Sequence, residues 1–167
     1  DKIKVIENLL TKVDKLLVGG AMIFTFFRAQ GKNIGNSKVE DAYIDLAKKL
    51  LINNKIVLPV DIVAADRFDA NAHSKVVNAY NIQNDWMGLD IGPKTIESYQ
   101  EILKNAKTVV WSGSLGVFEF DKFANGTKEI ARFLSTLKAI TIVGGGDSAA
   151  AVEKFGYADK LTHVSTG

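Results

Sequence analysis

Two hydrophobic rhythms alternate along the chain. Ile3, Ile6, Leu9, Leu10 and Val13 recur at helical spacing, which predicts an amphipathic helix with Asp1 offering a cap. Lys15–Val18 is a short apolar run that stops at Gly19-Gly20 and reads as a strand. Ala21–Gln30 reads as a second helix ended by Gly31, with Phe24, Phe26 and Phe27 assigned to core packing. Residues 35–37 form a loop, and Val39, Ala42, Tyr43, Leu46, Ala47, Leu50 and Leu51 then mark one face of a third helix. Lys55–Val60 is a buried strand with Pro59 near its end.

Residues 61–86 are polar and irregular, and their short runs Ile62–Ala64 and Val76–Val77 are placed to pair as a small side sheet. Asp61, Asp66, Asp69 and His73, with Arg67, are read here as a solvated loop rather than a metal site. Gly88–Ile91 is a further strand, and Pro93 opens a helix over Lys94–Asn105. The remainder predicts a strand at Lys107–Trp111, a helix at Thr127–Leu137, a strand at Ile140–Val143, a helix at Ala149–Lys154 closed by Gly156, and a strand at Leu161–Val164.

Strands alternating with helices of about ten residues predict βαβ units: an α/β fold, with a Rossmann-like doubly wound parallel sheet in three αβα layers. Val18, Trp111, Val143 and Val164 each run into Gly or Ser, so four small-residue loops are expected on the one rim where open α/β sheets bind ligands. The most informative is Thr141–Val152, a β-branched run stopped by Gly144-Gly145-Gly146 and followed by Asp147, Ser148 and a helix-forming stretch. Asp147 and Ser148 are N-cap residue types, and a helix N-terminus beside glycines suits a phosphate. An acid there repels phosphate unless a cation lies between, which points to Mg²⁺. Two alternatives remain at this level. A tight connection needs no ligand, and Gly144, Gly146 and Ala149 also satisfy G-x-G-x-x-A. That dinucleotide fingerprint requires an acid about 20 residues on, at the end of the next strand. Here Asp159 precedes that run instead.

Composition changes this picture little. The 167 residues are 47% apolar and 24% charged, enough for one domain with a core. A net charge of +2 provides no nucleic-acid-binding surplus. The absence of cysteine removes disulfides and thiolate metal sites and fits a reducing, cytoplasmic setting. His73 and His163 alone make a histidine zinc site improbable. No apolar run reaches membrane-spanning length. A doubly wound domain rarely starts with a helix or stops at the glycine of a ligand loop. A strand before Asp1 and a loop after Gly167 are therefore expected in the parent protein.

Six segments, taken in order, carry a resemblance: Leu17–Met22, Leu58–Asp61, Trp86–Lys94, Gly116–Glu119, Gly144–Ser148 and His163–Gly167. Over essentially its whole length the chain resembles the C-terminal, nucleotide-binding domain of phosphoglycerate kinases. The resemblance implies phosphoryl transfer between 1,3-bisphosphoglycerate and ADP with Mg²⁺. It implies as partner an N-terminal 3-phosphoglycerate-binding domain of the same, monomeric parent chain. On this pattern Glu119 would bond the ribose hydroxyls, and Gly19, Gly20 and Gly88 would line the adenine pocket. Ser112, Gly113, Ser114 and Val117 would complete the nucleotide site. Gly145 and Gly146 would stabilise the transferring phosphoryl group, Ser148 would present its N–H and hydroxyl to the phosphates, and Asp147 would hold Mg²⁺ through the nucleotide. The chain departs from the family's W-N-G-P-x-G-V-F-E, carrying Ser112 for Asn and Ser114 for Pro. Of the family's G-G-A-K-V-x-D-K segment only Asp1-Lys2-Ile3 remains. Its phosphate-contacting lysine and the N-terminal domain thus fall outside this sequence.

Overall fold

The computed structural model describes residues 2–166; the cap expected of Asp1, and Gly167 of the last motif, lie outside them. The chain opens with α1 (Ile3–Leu9), β1 (Leu16–Leu17), α2 (Met22–Ala29), β2 (Asn33–Ile34), α3 (Ile44–Leu50) and β3 (Ile56–Val57). It continues through β4 (Asp61–Ala65), β5 (Ser74–Asn78), β6 (Asn81–Ile82) and β7 (Met87–Ile91). The last part holds α4 (Pro93–Leu103), β8 (Thr108–Ser112), α5 (Asn125–Thr136), β9 (Ile140–Gly144), α6 (Gly146–Lys154) and β10 (His163–Ser165).

The fold is α/β with parallel strands. β1 pairs with β3 in parallel, and β9 runs parallel between β8 and β10. Within β8–α5–β9–α6–β10 each crossover is a helix, as parallel neighbours require. Helix α2 is buried on every side over Ile23–Phe27, with Phe26 and Phe27 at 0% exposure. Such a helix is a core element rather than a surface one, in keeping with the role read for its phenylalanines.

Helices α1, α2 and α3 form one core with Val18, Ile62 and Ile82. A second core joins Ile96 and Tyr99 of α4, Ile130 and Leu134 of α5, and Val152 of α6 to Trp111 and Val143. Tyr99 links the two, because its buried hydroxyl donates to the Val18 carbonyl at 2.6 Å. Burial pushes the phenol above its usual range, so it stays a donor.

Two expectations are revised. Residues 61–65 and 74–78 do pair, with Ile62 opposite Val77 and Val63 opposite Val76. That side sheet also takes in β7, antiparallel to β4, so Gly88–Ile91 does not extend the parallel sheet. Asp61 is no solvated loop acid. It is 4% exposed and accepts from the N–H groups of Lys94 and Thr95 and from the Thr95 hydroxyl. Gly92, at the N-cap of α4, has no side chain to cap with, and Asp61 of β4 supplies the acceptor instead. Among the described residues α4, α5 and α6 all pack on the Trp111 and Val143 side of β8–β10. On the other side Val110 is 66% and Ile140 52% exposed.

Asp90 of β7 is the second buried acid, 3% exposed. Burial pushes its carboxyl up to about 8, against the opposing pull of N–H bonds from Gly126 and Ile91. Its folded pKa is thus above its unfolded value, and its contribution to stability is greatest below pH 4 and is lost as pH rises through about 8. Thermal denaturation across pH 4–8 should therefore show the wild type losing its advantage over Asp90→Asn as pH rises. A constant difference in Tm would mean that Asp90 does not titrate in this window.

Candidate nucleotide site

The glycine-rich turn is built by one residue in a glycine-only conformation. Gly145 has φ 96° and ψ 154°, a region that side chains exclude, and it turns β9 directly into α6. Helix α6 starts at Gly146, so Asp147 and Ser148 lie within its first turn and no side chain caps it. The expected N-cap role of these two residues is not what the structure has, because Gly145, which carries no side chain, occupies the N-cap position. The N–H groups of the first turn are thereby free for another acceptor. A Cβ added at Gly144 or Gly146 would meet open space.

The Ser148 hydroxyl is buried and donates to the Gly144 carbonyl at 2.6 Å, while accepting from the Gly113 N–H at 3.2 Å. Its proton is therefore committed, and its backbone N–H is the donor it has to offer. Through that hydroxyl the loop after β8 is fastened to the turn after β9. Gly113, with φ 92°, also accepts from the Trp111 indole N–H. Ser112 faces the same turn, with its Oγ 3.6 Å from where a Cβ of Gly145 would lie.

The loop after β1 joins the same group. The Gly20 N–H donates to the Leu115 carbonyl at 3.2 Å, and a Cβ on Gly20 would meet the Ser114 carbonyl at 2.8 Å. A Cβ on Gly19 would lie 2.2 Å from Leu115 Cδ2. These two glycines thus allow close packing of loop on loop. Gly88 is buried in β7, where Phe24 fills the space a side chain would need.

The segment after Ser114 carries Glu119, which is exposed. Its neighbours are held from three sides: Val117 N–H donates to the Leu89 carbonyl, Phe118 is buried, and Lys154 of α6 donates to the Phe118 carbonyl. Gly146 and Lys154 stand about 12 Å apart along α6. The glycine turn and the Glu119 segment are therefore tied to opposite ends of one helix.

Lys2 is a cation the sequence reading passed over. Its ammonium lies 2.8 Å from where a Cβ of Gly113 would be, and so sits over the loop after β8. The signal was present, since Lys2 is the closing lysine of the G-G-A-K-V-x-D-K remnant.

No group of three or more metal-ligating side chains occurs among the described residues. Asp147 is a single exposed carboxylate. That suits Mg²⁺, which is commonly held by one or two carboxylates and completes its shell with phosphate oxygens and water. Among the described residues no acid stands at the end of β10, and Asp159 lies in the short helical turn before it. Among the described residues the dinucleotide fingerprint is not completed.

The phosphoglycerate kinase family profile matches residues 1–167. The chain belongs to the phosphoglycerate kinase family. It is 58% identical to the phosphoglycerate kinase of Synechococcus sp. (strain JA-3-3Ab), over 99% of this chain and 42% of that protein. It is also 58% identical to that of Deinococcus radiodurans, over 100% of this chain and 42% of the relative. Among solved structures, phosphoglycerate kinase from Coxiella burnetii superposes with a TM-score of 0.94 at 39% identity, covering 99% of this chain and 44% of that one. Phosphoglycerate kinase from Pyrococcus horikoshii OT3 gives 0.83 at 30% identity, over 99% and 43%. The chain thus spans less than half the length of these phosphoglycerate kinases.

Gly145→Ala places a Cβ in a conformation that only glycine occupies readily, at a cost of about 1–3 kcal/mol. The expected result is a fall in Tm of about 3–10 °C, with faster amide exchange at Gly113 as the Ser148 tie loosens. Unchanged exchange there would show that the turn and the β8 loop are not coupled.

Proposed function

We propose that this chain is the nucleotide-binding, C-terminal part of a cytoplasmic phosphoglycerate kinase, which transfers phosphoryl between 1,3-bisphosphoglycerate and ADP. The observation that carries the reading is the open N-terminus of α6, reached through Gly145 and flanked by Lys2 and Asp147. Phosphate oxygens would accept from the backbone N–H groups of Gly145, Gly146 and Ser148, with the helix dipole adding to the attraction. Lys2 would balance phosphate charge from the Gly113 side. The two oxygens of the Glu119 side chain would accept from both ribose hydroxyls. Ser112 offers a shorter donor than the family's Asn, and Ser114 replaces the proline that would stiffen the turn, so electrostatic stabilisation at this point would rest on backbone N–H groups.

Asp147 would hold Mg²⁺ together with the nucleotide, and the ion when bound would neutralise charge on the phosphate chain. Phosphoryl transfer is catalysed mainly by positioning and electrostatics, with donor and acceptor held in line. The site described here holds one of the two substrates. The 3-phosphoglycerate site would lie in the part of the relatives that this chain does not match, on a partner domain of the same parent chain.

Asp147→Asn tests the role of the acid. Calorimetric titration should show MgADP affinity falling about tenfold or more, with metal-free ADP changed less than threefold, as loss of a charge-assisted contact predicts. Equal losses with and without Mg²⁺ would assign Asp147 to the helix terminus alone.

A coupled assay of residues 1–167 with 3-phosphoglycerate and MgATP should show negligible turnover although MgADP binds. Turnover close to that of a full-length relative would place the acid-substrate site within this chain and overturn the division of labour. Titration with NAD is expected to give no binding in the range where MgADP saturates.

A further inference from the structure

We propose that Asp90 is a positioning residue for the nucleotide's ribose end: from beneath the site it closes the segment that presents Glu119, and so sets the preference for a ribonucleotide. The proposal rests on the nucleotide reading above and adds a residue that neither touches the rim nor belongs to its loops.

Asp90 meets the two ends of the segment through one hydrogen bond, to Gly126, and one close approach, to Gly116. One carboxylate oxygen of Asp90 accepts from the Gly126 N–H at 2.9 Å, in the first turn of α5. The other accepts from the Ile91 N–H at 2.9 Å, and it lies 2.3 Å from where a Cβ on Gly116 would be. A Cβ on Gly126 would lie 2.4 Å from that same oxygen. Gly116 and Gly126 therefore both close onto one buried carboxyl group, and the residues between them, Glu119 included, form a loop whose ends meet there. Two further bonds close it: Leu115 N–H donates to the Thr127 hydroxyl at 3.1 Å, and Val117 N–H donates to the Leu89 carbonyl at 2.9 Å.

Helix capping alone accounts for the Gly126 bond but not for the contact with Gly116. Among the described residues no cation is bonded to this buried acid, which is a costly way to hold two N–H groups. An asparagine in its place could accept from one of them only, since its NH₂ would point a donor at the other. Asp90→Asn keeps size and shape but turns an NH₂ toward the N–H of either Gly126 or Ile91, which should displace the side chain that Gly116 and Gly126 close onto. The exposed carboxylate of Glu119 would then sample positions away from the ribose.

The readout is the ratio of Kd for 2′-deoxy-ADP to Kd for ADP. A charged acceptor on the 2′-hydroxyl should give the wild type a ratio of about 10. Asp90→Asn should bring it below about 3, while the enhancement of ADP affinity by Mg²⁺, set at α6, is retained. Leu134→Ala, an inner-face substitution elsewhere on α5, serves as a control for general destabilisation and should keep the wild-type ratio. Should Asp90→Asn fail to fold, Gly126→Ala displaces the carboxyl without changing its charge and should also collapse the ratio. A full ratio in the folded Asp90 or Gly126 variant, or a collapse in Leu134→Ala as well, would overturn the positioning role alone. A wild type that binds ADP and 2′-deoxy-ADP equally would overturn the ribose assignment of Glu119 as well, and with it the proposal.

Discussion

Helices α4 and α5 begin without a cap of their own, and each borrows a buried carboxylate from a strand of the antiparallel sheet. Gly92 and Ala124 stand at the two N-cap positions and neither has a side chain that can accept. Asp61 of β4 and Asp90 of β7 provide the acceptors. These acids do more than end two helices. They fix the side sheet against the layer that covers Trp111 and Val143, and hence fix the parallel strands whose ends form the rim. In sequence the two aspartates look alike; in energetic terms they differ. Asp61 receives three donors around its carboxylate, whereas Asp90 receives two and is pushed toward the neutral form by its surroundings.

The order of elements was readable because each helix and strand carries its own periodicity. Ile130, Phe133, Leu134 and Leu137 announce the inner face of α5, where Ile130 and Leu134 are buried and Phe133 and Leu137 half-buried, and Ile140–Val143 announces β9. The partners of β7 were not readable. Gly88–Ile91 is a short apolar run of the kind that fits either a parallel or an antiparallel neighbour. Only the register against Ile62 and Ala64 decides between them. Nor could capping be placed by local rules, since those rules look one to three residues ahead. The acceptor for Lys94 and Thr95 lies more than thirty residues earlier.

The rim divides in a similar way. The β9–α6 turn itself was legible because three glycines between a β-branched run and a helix-forming run predict a turn there. Gly19 and Gly20 were legible as loop residues, yet their shape has an internal cause in the packing of Leu115 and Ser114 against them. Lys2 and Asp90 were passed over for opposite reasons. One is exposed and far off in sequence; the other is buried and offers no pattern, because a single acid in an apolar strand looks the same whether it caps, titrates or ligates.

The side of β8–β10 opposite Trp111 and Val143 has a consequence for handling the protein. Val110, Ile140 and Ile142 lie on one face of adjacent strands in register, and β8 pairs on one side only among the described residues. Apolar side chains beside unpaired backbone N–H and carbonyl groups are the conditions under which sheets recruit further strands. Colloidal behaviour of the isolated chain is therefore governed less by its net charge than by this strip. Substituting Val110 with a lysine would alter how the chain survives concentration while leaving its core untouched.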